Sequence, residues 1–171
     1  MKLSIQTTRE DQRIAWLTAL AITIHIAESA LPSPIPGVKP GLANIITIIC
    51  LIQYGWSTAA WVAILRVLVG SILIGTFLSP TFALSMSGAV ASVIVLGLAN
   101  RLLPGDGLGP VGYSLLAAIA HMGAQFFTAY SLFIPHQGLF HLLPILMTVA
   151  VVFGITSGII AKHMINRIKQ L

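Results

Sequence analysis

Between Ile14 and Ala161 the chain carries charge only at Glu28, Lys39, Arg66, Arg101 and Asp106. A soluble domain coats itself with charge at about a quarter of its positions. Here charged residues make up 8% of the 171-residue chain, against 57% hydrophobic. Such a chain cannot cover a water-facing surface, so an integral membrane protein is expected. Its elements should be helices, because an open strand edge leaves backbone groups unpaired in lipid. The apolar runs are also too long and unbroken for barrel strands.

A lipid-crossing helix needs about 20 apolar residues. Six segments are predicted on that basis, at 13–31, 41–54, 57–75, 82–100, 111–134 and 142–163, the second of them short. They make a single all-α domain, a six-transmembrane-helix bundle over 1–171. An even number puts both termini on one side. Lys2, Arg9, Arg13, Arg101, Lys162, Arg167 and Lys169 then share that side, and Lys39 alone lies opposite, with Arg66 inside a span. The positive-inside rule makes the crowded side cytoplasmic, in a multi-pass protein of the inner membrane. The net charge of +5 is therefore a topology signal, and no nucleic-acid partner is expected. The first apolar run is closed by "LPSPIP" and not by a small-residue cleavage site, so a secretory leader is not expected. Cys50, the only cysteine, has no disulfide partner. No zinc-type spacing occurs, and no metal or cofactor is expected.

The polar residues inside the apolar runs carry the functional reading. A central arginine costs about 2.5–3.5 kcal/mol on insertion scales, so Arg66 needs a compensating group. Glu28 is the only acid within a span. A Glu28–Arg66 pair would either lock two helices or hold an anionic ligand. His25 precedes Glu28 by three residues and shares its face, and His121 and Gln125 share another at i,i+4 spacing. Asn44 opens the second segment. Each of these polar groups also has a plain reading, an interhelical hydrogen bond worth about 0.6 kcal/mol. His136 and His141 fall in an outer loop, as ligand contacts or as solvated histidines. Ala15 and Ala19, four apart, offer a close-approach face to another helix.

The stretch "SALPSPIPGVKPGLAN", Ser29 to Asn44, cannot be helical through its prolines, which fix φ and lack a backbone donor. A rigid loop folded over the outer mouth of the bundle is expected there, placing Lys39 at the mouth. A short segment that starts beside such a loop points to a binding site. The expected substrate site comprises Arg66, Lys39, Asn44, Glu28, His121, Gln125 and His136.

"ESALPSPIPGVKPGLANIITI", "LRVLVGSILIGTFLSPTFALSMSG" and "AHMGAQ" resemble the family labelled heptaprenyl diphosphate synthase component I, also called the Gx transporter family. The third motif departs at Met122, where members often carry Asn. The family in turn looks like the substrate-binding S components of energy-coupling-factor (ECF) transporters. That resemblance implies six membrane helices and a vitamin-like small molecule bound near the outer face. It also implies a first helix, through Ala15 and Ala19, that meets a transmembrane coupling subunit served by ATPases. The first outer loop would act as a lid.

An enzyme is not expected. Prenyl diphosphate synthases hold magnesium and diphosphate on aspartate-rich clusters, whereas this chain has only Glu10, Asp11, Glu28 and Asp106 as acids. It also lacks a phosphate-binding Walker motif. The alternative to a transport subunit is a non-catalytic membrane accessory subunit of a prenyl diphosphate, quinone or flavin-linked electron-transfer system.

Overall fold

The computed structural model describes residues 7–30, 41–103 and 107–170. The loop expected over 32–40, with Lys39, lies outside them. Six α-helices follow one another: α1 Arg9–Ala30, α2 Ala43–Tyr54, α3 Trp56–Ile74, α4 Pro80–Leu102, α5 Pro110–Leu132 and α6 Leu143–Ile168. A 3₁₀ turn over Gln137–Leu142 leads into α6.

Local chemistry sets the boundaries. α1 starts ahead of its apolar run because Thr8 and Asp11 cap it reciprocally. The Thr8 hydroxyl accepts the Asp11 N–H at 3.1 Å, and the Asp11 carboxylate accepts the Thr8 N–H at 2.8 Å. The Thr8 N–H and the Thr8 hydroxyl, which also donates to the carboxylate at 2.7 Å, hold the Asp11 carboxyl below its ordinary value. At α4 the Ser79 hydroxyl accepts the Phe82 N–H at 3.3 Å, and Pro80 occupies the first turn, where its missing donor is no loss. Only Gly55 separates α2 from α3, at φ 89°, a conformation open to glycine without steric cost. α6 runs past the expected end at 163, since basic residues such as Arg167 suit the negative end of a helix.

Of the six predicted spans, four correspond to helices long and apolar enough to cross a membrane, among the described residues: α3, α4, α5 and α6 with its 3₁₀ lead-in. α1 carries Arg13 at one end of its apolar stretch and His25 and Glu28 near the other. α2 has 12 residues and rises about 18 Å, against a hydrocarbon core of about 30 Å. It is apolar for a different reason. Ala43 and every residue from Ile45 to Leu51 are buried, enclosed by α1, α3, α5 and α6. Helix α2 is the centre of the bundle.

Specific contacts show the helices alternating in direction. Arg13 at the start of α1 lies over the Tyr54 ring at the end of α2, 4.5 Å from its centroid. At the opposite end Glu28 of α1 meets the start of α2. The Trp56 indole, at the start of α3, donates to the Val93 carbonyl in the second half of α4 at 2.9 Å. Gly158, late in α6, lies against Val111 at the start of α5 so closely that a Cβ would come within 2.6 Å of its Cα. Alternation collects Arg9, Arg13, Arg101, Lys162, Arg167 and Lys169 at one end of the bundle.

Candidate functional site

Because α2 begins only at Ala43, none of the described helices fills the centre of the bundle at the end away from those basic residues. A cavity of about 210 Å³ lies there, at the N-terminal side of α2. All six helices contribute to its wall.

Helix α3 brings in Arg66, which is 7% exposed. Its Nε is buried with no hydrogen-bond partner. Glu28, from α1, is 4% exposed and acts on Arg66 through its charge. Its Oε1, however, accepts the Leu42 N–H at 3.0 Å. The carboxylate thus serves as an acceptor for the chain entering α2, a place usually filled by a capping side chain. Asn44, two residues further on, is also on the wall.

Helix α5 supplies His121 and Gln125, whose Nε2 atoms are 3.0 Å apart. The Ser92 hydroxyl, from α4, donates to the Ala117 carbonyl at 2.9 Å and lies 3.4 Å from His121 Nδ1. With its proton so directed, Ser92 accepts from Nδ1–H. His121 Nε2 is then the acceptor of the Gln125 amide. The Gln125 carbonyl oxygen and one N–H remain for other partners. The ring fits because position 88 on α4 is glycine: a Cβ there would lie 2.7 Å from it.

The structure therefore brings Arg66, Glu28, Asn44, His121 and Gln125 to one cavity. It does not bring His136. That side chain is exposed, and its Nδ1 accepts the Gly138 N–H at 3.0 Å, capping the 3₁₀ turn. Lys39 lies outside the described residues. Ala15 and Ala19 are exposed on the outer face of α1, beside Trp16 at 78% exposure. Sequence reasoning missed Ser85, Ser114 and Ser157 on the wall. Ser114 is fully buried, and its hydroxyl has no partner. Nothing in the sequence sets these serines apart from ordinary small packing residues. Among the described residues no three His, Cys, Asp or Glu side chains cluster as a metal site would require.

The model of one protein family, described as heptaprenyl diphosphate synthase component I, matches residues 17–164. The chain belongs to that family. No curated protein and no solved structure matches it. In this member of the heptaprenyl diphosphate synthase component I family, the matched region takes in the whole cavity wall, from His25 to Ser157. It omits the first turns of α1, with Ala15.

Proposed function

We propose that this family member is the substrate-binding membrane subunit of an ECF-type transporter, a six-helix multi-pass protein of the inner membrane with both termini in the cytoplasm. The observation that carries this reading is the cavity beside α2, with a buried arginine whose Nε has no partner. A charged group held inside a membrane bundle is costly, and such groups commonly mark a functional site. A ligand arriving at Arg66 would complete its hydrogen bonding in a low dielectric, where one contact outweighs several at the surface. The wall is partly apolar, through Val67, Leu84 and Phe153, with a few convergent polar groups. That is the usual make-up of a small-molecule site. Capture would not require catalysis by this chain. Transport would require a transmembrane coupling subunit and ATPases, for which the exposed Ala15–Ala19 face of α1 is the docking surface.

The family's description supports a second reading, a non-catalytic component of a prenyl diphosphate synthase with no ligand of its own. Such a component needs a partner-binding surface and no interior polar chamber. Native mass spectrometry of the gently extracted protein separates the two. The transport reading expects one small molecule retained per chain. A protein that stays empty, even after incubation with extract of its own cells, would favour the accessory subunit.

A further inference from the structure

The walls of the α2 cavity restrict what can enter it. Its volume, about 210 Å³, lies between a 150 Å³ cavity that holds benzene and the smallest drug-sized pockets of about 300 Å³. That corresponds to one substituted ring, on the order of ten to fifteen non-hydrogen atoms. An adjoining chamber shares His25, Val67, Thr81 and Ser85 with the first and is also about 210 Å³. Its wall mixes Ser71 and Thr76 with Ile74 and Phe82. It has room for a substituent as large as a second ring, but its hydroxyl-bearing wall is no apolar tunnel for a long prenyl tail.

Charge restricts the ligand further. Among the described wall residues Arg66 and Glu28 are the only full charges of fixed sign. A guanidinium matches one carboxylate in a two-point fork. A diphosphate brings several negative charges, and Glu28 would repel those that Arg66 does not neutralise. Phosphate sites usually recruit free N–H groups at a helix start. Here three of the N–H groups around the start of α2 already have acceptors. The Leu42 N–H goes to Glu28 at 3.0 Å, the Asn44 N–H to the Gly41 carbonyl at 2.9 Å and the Ile45 N–H to the Leu42 carbonyl at 3.0 Å. The other polar wall groups, Gln125, Asn44 and Ser114, are neutral and suit an amide, hydroxyl or ring-nitrogen edge.

We infer that the cavity binds a ring-sized acid of single negative charge, its carboxylate on Arg66 and its neutral polar edge on Gln125, and that it does not bind a prenyl diphosphate. This inference rests on the binding-subunit reading. The test offers the full-length protein three pools at equal concentration: single-ring carboxylic acids of ten to fifteen non-hydrogen atoms, the primary amides of the same acids, and isopentenyl and geranyl diphosphates. Native mass spectrometry reads which are retained. Retention from the acid pool alone is expected. Arg66→Lys, which keeps the charge but loses the fork, should weaken it about tenfold. Arg66→Met combined with Glu28→Gln removes both charges together and should abolish it while the protein stays folded. Should that variant unfold, the lysine variant carries the test. Retention of a diphosphate, or of amides as well as acids, overturns the inference. If no pool is retained but a molecule from the cell is, that molecule decides: a ring-sized acid upholds the assignment and any other compound overturns it. If neither is retained, the binding-subunit reading falls and takes this inference with it.

Discussion

At position 88 a single hydrogen atom in place of a methyl group admits the His121 ring to the space between α4 and α5. A Cβ would stand 2.7 Å from that ring, well inside van der Waals contact. Gly97, further along the same helix, makes comparable room for the Trp56 indole, where a Cβ would come within 2.5 Å of Nε1. The two glycines give a matched pair of tests. Gly88→Ala and Gly97→Ala should each destabilise the protein by about 1–3 kcal/mol, the usual cost of overpacking. Only Gly88→Ala should also weaken ligand retention, because displacing His121 releases Gln125 from its 3.0 Å contact. Thermal unfolding and ligand retention measured together check this. Equal loss of retention in both variants would detach His121 and Gln125 from the site.

Helices α1 and α2 show how one composition can serve two purposes. Both are apolar, yet α2 is buried on nearly every side, whereas α1 buries one face only. Thr18, Ala21, Ile22 and Glu28 of α1 are buried, while Ala15, Trp16, Ala19 and Leu20 are exposed. A face of small residues permits close backbone approach by another helix. Ala15→Trp or Ala19→Trp would fill that approach without touching the core. Each variant should fold with unchanged thermal stability and co-purify less with a transmembrane coupling subunit. Undiminished co-purification would remove this face as the interface. α5 and α6 are already paired in this manner inside the chain. A Cβ at Gly154 would lie 3.1 Å from the Leu115 Cα, so a larger residue there needs the two helices to give by a few tenths of an ångström.

Over the whole molecule, the alternating helices sort charge by end. The collected basic residues and the partly exposed Tyr54 and Trp56 lie at one end, and the cavity lies towards the other. Positive charge favours the cytoplasmic face, and aromatic residues favour an interface. Orientation can be read by cysteine labelling in intact cells. Cys50 is buried and gives no background. A cysteine replacing the exposed Gln137 should react with an impermeant reagent added outside, and one replacing the exposed Gly107 should not. The reverse pattern would turn the protein over and put the cavity on the cytoplasmic side.

The helical class was legible from the sequence, because scarcity of charge over long apolar runs leaves lipid or a protein interior as the only surroundings. Family membership was legible too, in long motifs such as "ESALPSPIPGVKPGLANIITI". That His121 and Gln125 share a helix face followed from helix periodicity alone; that they meet each other rather than a neighbouring helix did not. Hydropathy could not distinguish α2, apolar because protein surrounds it, from helices apolar because lipid would. Both environments reject charge equally, so only the packing of α1, α3, α5 and α6 around it decided its role. The cavity depended on that same fact, since its wall is built where the other helices meet the N-terminal side of α2. Glu28 was legible as a buried acid near Arg66, but its bond to the Leu42 N–H depends on where the chain enters α2, which no periodicity encodes. Ser114 and Ser157 became wall residues only when α5 and α6 met through Gly154 and Gly158. A serine in an apolar run looks the same in sequence whether it faces a neighbouring backbone or an open chamber. That difference arises from the fit between helices.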